Sequence, residues 1–175
     1  MKWPRAVVLV LALALAGCAS HNTVTNLPPG VSQVQVNNWK SAADNLKMAQ
    51  DGSHAALEAA LNLHNSGAIK DSPGYGIAIT AIGRADQLEI EAAAFLKSVP
   101  NDWSQPTKQK LASYTTQILM QLASANETGV LGVKNPANGK VVSDMIADAM
   151  KVMQLVQVLT ASRAEREFQR EVAYV

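Results

Sequence analysis

Apolar residues recur at three- and four-residue spacing through most of the chain after residue 32. This spacing predicts amphipathic helices that bury one face. The first helix is predicted over residues 32–65, with glycine at its C-terminal stop in Asn65-Ser66-Gly67. Asp51-Gly52-Ser53 interrupts the apolar stripe. The triplet could kink one long helix, or it could divide the segment into two helices with Ser53 as the N-cap of the second. The stripe comprises Trp39, Ala42, Ala43, Leu46, Ala49, Ala56, Ala60 and Leu63.

Two further helices have recognisable starts and stops. Ser72 followed by Pro73 is typical of an N-cap with proline at the first helical position, and Pro100 ends that helix. A third helix is predicted from near Pro106 to Gly129, with Leu111, Tyr114, Ile118, Leu122 and Ala125 on its buried face.

The last part of the chain contains a turn signal before another helix. "VLGVKNPANGKVV" (130–142) places Asn138-Gly139 among β-branched residues, which favours a small hairpin or an ordered loop. The fourth helix is then predicted to begin at Ser143 as N-cap. Its charged continuation, 163–175, is interpreted as a solvated helix or, alternatively, as a partner-binding tail through Phe168, Val172 and Tyr174.

Four amphipathic helices with short connections predict an all-α fold, an antiparallel up-down four-helix bundle over residues 32–175. The helices are rich in alanine. Alanine favours helix and allows close helix approach, although it buries little apolar area.

The N-terminus has a separate pattern. Lys2 and Arg5 precede the continuous apolar run 6–16. Eleven helical residues span about 16 Å, roughly half of a bilayer core, so the run is too short for a transmembrane helix. A basic start, a short apolar run and small residues at the break predict a secretory signal peptide.

The break reads Leu15-Ala16-Gly17-Cys18, which resembles the lipobox of bacterial lipoproteins at all four positions. The resemblance implies that the Cys18 thiol receives a diacylglyceryl group and that residues 1–17 are removed. The new amino group would then be acylated as well, commonly with palmitate. The alternative is an ordinary signal peptide or signal anchor with a free cysteine, since Ala19 and Ser20 are also small.

The resemblance also bears on location. Aspartate after the cysteine tends to retain Gram-negative lipoproteins in the inner membrane, whereas this chain has Ala19. That favours the periplasmic face of the outer membrane. Residues 19–30 are polar and end in Pro28-Pro29-Gly30, so residues 18–31 are predicted to be a lipidated cysteine and a flexible tether spanning about 20 Å. The alternative is that Leu27-Pro28-Pro29 packs on the domain.

Charge and cysteine content argue against nucleic-acid binding and against an internal disulfide. The chain has 15 basic and 14 acidic residues, and loss of Lys2 and Arg5 with the leader leaves 13 basic residues. No basic run is present, so nucleic-acid binding is not expected. A single cysteine rules out an internal disulfide, and compartment must be inferred from the leader.

Candidate chemical groups are few. His54 and Glu58 share a predicted helical face, and His64, Glu89 and Glu91 are the other residues considered for a metal site. No Glu-x-x-His pair occurs, and Glu89 and Glu91 are predicted to point to different faces, so no metal site is expected. No Gly-x-Ser-x-Gly elbow or phosphate-binding glycine loop occurs, so neither an enzyme nor a cofactor is predicted.

The sequence therefore predicts a membrane-anchored envelope lipoprotein that acts without catalysis, as a binding, structural or assembly/exclusion factor. An envelope protein partner would bind an exposed apolar patch near Trp103 or the C-terminal helix. The alternative is a periplasmic carrier that holds a small apolar ligand or lipid in a cavity between helices, lined by Met and Leu.

Overall fold

The computed structural model describes residue 27, residues 29–127 and residues 136–161. These residues form four helices: α1 (Gln33–Asn65), α2 (Pro73–Ser98), α3 (Gln105–Glu127) and α4 (Pro136–Thr160). Helix α1 packs against α2 and α4, and α3 packs against the same two helices. Over these residues, the prediction of an all-α four-helix bundle is confirmed.

Side chains cap two helix starts, and the cap predicted at Ser72 is confirmed. The Ser32 hydroxyl accepts a hydrogen bond from the Gln35 amide, and Gln35 Oε1 accepts one from the Ser32 amide at 2.8 Å, which forms a capping box. Ser72 Oγ accepts from the Tyr75 amide at 3.1 Å, and Pro73 is the first helical residue. Side chains thus satisfy amide groups that a helix start leaves without backbone partners.

Helix α1 runs without a break through Asp51-Gly52-Ser53, so the triplet does not split it. The helix ends where Gly67 adopts a φ of +73°, a left-handed conformation that favours glycine. The Gly67 amide donates to His64 O at 2.8 Å. The predicted glycine stop is therefore confirmed.

The start of α4 corrects the prediction. Helix α4 begins at Pro136, so Asn138-Gly139 lies within its first turn, and the hairpin prediction is wrong for residues 136–142. Ser143 is an interior helical residue whose hydroxyl donates to Asn126 Oδ1 at 2.7 Å. Val142 is fully buried four residues before Ile146, so its burial continues the core stripe by one turn. Residues 130–135 of the predicted hairpin lie outside the described residues.

The core lies between the four helices and combines small and large side chains. The predicted stripes are largely confirmed, because their central members are fully or nearly fully buried. Trp103 is also buried and packs in the core, so its own side chain is not part of an exposed apolar patch. The large fully buried apolar side chains are Leu46, Ile69, Ile82, Leu96, Leu111, Ile118, Leu122, Ile146, Met153, Val142 and Val156.

Candidate functional site

A hydrogen-bonded polar pair, Ser53 and Glu89, lies in the apolar core between α1 and α2. Both residues are fully buried, and Ser53 Oγ donates to Glu89 Oε1 at 3.1 Å. Ser53 shares the buried face of α1 with Ala49 and Ala56. Buried polar groups are stable only with suitable partners, and within this buried pair the Ser53 hydroxyl and the Glu89 carboxyl are partners for each other.

Glu89 is placed there by helical periodicity. It follows Ala85 by four residues and precedes Ala92 by three, and both alanines are fully buried. Residues at these spacings share one face of a helix. A carboxyl group therefore occupies a core position of α2, where an apolar side chain would be the ordinary choice.

Burial raises the pKa of Glu89 from 4.5 to about 8; the Ser53 hydrogen bond opposes this shift, and the nearby Asp86 charge adds to it. The carboxyl is thus mainly protonated at neutral pH, because an ionised group loses its hydration in the core. The buried atoms Glu89 Oε2 and Asp86 Oδ1 make no hydrogen bond with the described residues. The buried pair is therefore a neutral acid with unused hydrogen-bonding capacity.

Asp86 and His54 lie on the side of the buried pair that faces the surface of the bundle. Asp86 precedes Glu89 by one turn, and its side chain is 17% exposed. His54 Nδ1 lies 3.7 Å from Asp86 Oδ2, and His54 Nε2 lies 3.5 Å from Glu58 Oε1. The predicted shared face of His54 and Glu58 is confirmed. At 58% side-chain exposure, His54 lies at the rim of the bundle.

The other candidate metal ligands are separated from this group. His64 Nε2 lies 2.7 Å from Asp71 Oδ1, and the His64 ring stacks on Tyr75 with centroids 4.6 Å apart. Glu91 lies at the surface, where it accepts a hydrogen bond from Gln87, so it points away from Glu89 as predicted. Across residues 29–127 and 136–161, no three His, Cys, Asp or Glu side chains converge as a metal site.

Gly52, which precedes Ser53 in α1, lies where α1 and α4 pack closely. A Cβ placed on Gly52 would lie 3.4 Å from Ala149 Cβ of α4. This is the closest spacing that ordinary side-chain contact permits, so Gly52 allows the two helices to approach at the level of Ser53. The triplet that interrupts the α1 stripe therefore contains a close contact at Gly52 and a buried hydroxyl at Ser53.

The position of Gly52 should tolerate a methyl group and reject a large side chain. Gly52→Ala should be neutral or stabilising by up to about 1 kcal/mol. Alanine has the higher helix propensity, and the tight contact with Ala149 offsets part of that gain. Gly52→Leu should cost about 1–3 kcal/mol through overpacking against Ala149. Urea unfolding followed by circular dichroism measures both changes.

Gly83 of α2 provides the matched control, because a Cβ there would meet no atom within 4 Å. Gly83→Leu should therefore be tolerated. Equal destabilisation by Gly52→Leu and Gly83→Leu would contradict close packing at Gly52.

A shallow groove lies between α2 and α3, away from the buried pair. It has a volume of about 420 Å³, and Ile77 at its edge is 51% exposed. Its lining contains neither Met nor Leu, unlike the ligand cavity expected for a carrier. The lining residues are Pro73, Gly76, Ile77, Thr80, Ala81, Gln121 and Ser124.

The predicted lipid-attachment motif, Leu15-Ala16-Gly17-Cys18, lies outside the described residues, as does the tail 162–175. Within the described helices, none is long and apolar enough to cross a membrane.

The sequence interpretation missed the burial of Glu89 and Ser53. The signal was present, because Ala85 lies four residues before Glu89 and Ala92 three residues after it, which places all three on one face of a helix. Comparison of the chain with protein-family models, curated proteins and solved structures finds no match.

Proposed function

We propose that the protein is a lipid-anchored lipoprotein of the bacterial cell envelope that acts without catalysis as a binding, structural or assembly/exclusion factor. The observation that carries this proposal is the lipobox Leu15-Ala16-Gly17-Cys18. In the proposed mature form, Cys18 is the first residue and carries the lipid. A second acyl chain makes such anchoring stable, since one chain alone holds a protein only marginally.

The start of α1 supports the division into tether and domain. The capping box at Ser32 and Gln35 gives the first helix a defined beginning after Pro28-Pro29-Gly30. We therefore propose residues 1–17 as signal peptide, 18–31 as lipidated tether and 32–175 as the bundle domain. Ala19 favours the periplasmic face of the outer membrane by resemblance to Gram-negative lipoproteins.

We further propose an antiparallel up-down arrangement of the helices. His64, near the end of α1, contacts Tyr75 at the start of α2, whereas Ser53, earlier in α1, contacts Glu89, later in α2. These contacts are those of two helices that run in opposite directions. Between α2 and α3, Phe95 lies near Tyr114, with ring centroids 6.3 Å apart. The groove residues of early α2 lie beside Gln121 and Ser124 of late α3, which supports the same opposed direction.

The buried pair fits a role in specifying the packing. Breaking the Ser53–Glu89 hydrogen bond would leave a polar group unpaired in the core, so arrangements that separate these residues are disfavoured. Both side chains are fully buried, whereas catalysis requires contact with a substrate. A non-enzymatic function is therefore the better interpretation of this pair.

Replacement of Cys18 tests the proposed anchor. Cys18→Ser removes the thiol that accepts the diacylglyceryl group, so the variant should incorporate no labelled palmitate. Because lipidation precedes cleavage in this protein class, the variant should also migrate as the longer precursor. Labelling of cells followed by immunoprecipitation measures both properties.

Ser20→Ala is the neighbouring control, and it should incorporate label and be processed like the wild-type protein. Label incorporation by Cys18→Ser equal to that of the wild-type protein would refute the anchor. So would the absence of label from the wild-type protein.

A further inference from the structure

The lysines that lack an acidic partner are concentrated at one end of the bundle. Four basic residues among those described form ion pairs with carboxylates: Lys47, Arg84, Lys140 and Lys151. The other five make no ion pair with the described residues, and four of these five belong to this end. The five are Lys40, Lys70, Lys97, Lys108 and Lys110.

Contacts between α2 and α3 bring three of these lysines together. Lys97 lies in the last turn of α2, and Lys108 and Lys110 lie in the first two turns of α3. The loop 99–104 joins these helix ends, and the rings of Phe95 and Tyr114 lie near each other across them. Lys110 Nζ lies 5.2 Å from the centre of the Tyr114 ring.

The register between α1 and α2 adds the fourth lysine. Ser53 contacts Glu89, and the proposed antiparallel direction then places Lys40, thirteen residues before Ser53, about one turn beyond the end of α2 at Ser98. Lys40, Lys97 and Lys110 are exposed, and Lys108 is half-buried. We call the end of the bundle formed by Lys40, Lys97, Lys108 and Lys110 the basic end.

The charge at the start of α3 does not account for Lys108. The amino-terminal end of a helix carries partial positive charge, so a cation in the first turn is unfavourable. The first turn of α3 contains no acidic residue. Asp102, just before α3, accepts hydrogen bonds from the Ser104 amide and the Ser104 and Thr107 hydroxyls, and these bonds already stabilise its charge.

The tether enters the bundle at this same end, because α1 begins there. We propose that the basic end docks on anionic lipid headgroups of the membrane that holds the chain. This inference rests on the proposed lipid anchor at Cys18. The lipid anchor holds the molecule at the membrane, and the basic end determines which face of the bundle lies against it.

The distances are compatible with this docking. A tether spanning about 20 Å lets the basic end reach the headgroups without extending fully. The interaction of exposed charges decays over about 8–10 Å at physiological salt, so only a docked end gains substantial attraction. Near an anionic surface, each lysine increases partitioning about fivefold.

Energy transfer between the domain and the lipids tests the proposal. The lipidated full chain carrying Gln105→Cys would be labelled with a donor fluorophore, because the Cys18 thiol is occupied by lipid. It would be inserted into phosphatidylcholine vesicles, with or without phosphatidylglycerol, that contain an acceptor on the headgroups. Flotation of the vesicles first establishes that the protein is anchored.

Transfer from Gln105→Cys should be higher in vesicles containing phosphatidylglycerol, and raising salt from about 0.05 M to about 0.5 M should abolish the increase. The triple variant Lys97→Gln, Lys108→Gln, Lys110→Gln should also lose the increase. A variant of equal net charge, with Lys70→Gln, Lys140→Gln and Lys151→Gln, should retain it.

Equal transfer in the two vesicle types, with the protein floating in both, would overturn docking and leave the anchor intact. The same holds if the two triple variants lose the increase equally, because net charge alone would then explain it. Failure of the wild-type protein to float with the vesicles would refute the anchor, and with it the docking inference.

Discussion

The free energy of unfolding should fall by up to about 5 kcal/mol as pH rises from about 4.5 to about 8, through the titration of Glu89. Its pKa is about 8 in the folded chain, against an ordinary value of 4.5 for a solvated carboxyl. Between these values the unfolded chain releases the proton while the folded chain retains it. The folded state then binds more protons, so stability decreases with rising pH and levels off above about pH 8.

Glu89→Gln should remove this pH dependence. The Gln side chain stays neutral and can still accept the Ser53 hydrogen bond, so the variant should be more stable than the wild-type protein above pH 8. Near pH 4.5 the two proteins should have similar stability, because Glu89 is protonated in the folded wild-type chain. Urea unfolding at a series of pH values from 4.5 to 9 measures the difference.

Glu91→Gln provides the matched control, because this carboxyl is two residues away and lies at the surface. The free energy of unfolding of this variant should change with pH in parallel with that of the wild-type protein.

Asp102 also makes stability depend on pH, but in a lower pH range. The Thr107 hydrogen bond lowers the pKa of Asp102, so the stability that this carboxylate contributes is lost at acidic pH, below the range in which Glu89 titrates. A flat wild-type profile, or an unchanged slope in Glu89→Gln, would contradict the buried acid.

Leu122→Ala should destabilise the protein by about 2–5 kcal/mol. Leu122 of α3 is fully buried, and its truncation removes apolar contacts and leaves a cavity that tightly packed neighbours fill only partly. Chemical denaturation with circular dichroism measures the loss. The result would show that the space between the helices is packed core.

Leu155→Ala of α4 is the matched control, because Leu155 is 52% exposed. The same chemical change should alter stability there by less than about 0.5 kcal/mol. Similar losses for the two variants would contradict the packing of α3 and α4. A negligible loss for Leu122→Ala alone would indicate a loose interior, as a ligand carrier would require.

Helix type and several helix ends could be predicted from the sequence because their causes are local. Ser72 and Pro73 define the start of α2, and Gly67 ends α1 through its left-handed backbone. The start of α4 was predicted wrongly because Asn138-Gly139 is typical of turns. Burial of Val142 outweighs that local preference, and burial depends on tertiary packing.

The buried pair needed three-dimensional information for a different reason. Glu89 occupies a stripe position, yet a charged residue is usually assigned to the surface. Its burial is accompanied by a hydrogen bond from Ser53, which lies in another helix and far away in the sequence. The lipobox, in contrast, is recognised from four adjacent residues and needs no fold.

The mature protein should begin with a lipidated Cys18. Intact-mass spectrometry of the native protein purified from membranes tests this most directly. The expected result is a chain starting at Cys18, with a mass increased by a diacylglyceryl group and an amide-linked acyl chain. A chain with an unmodified Cys18 thiol, or one that begins at another residue, would contradict the account.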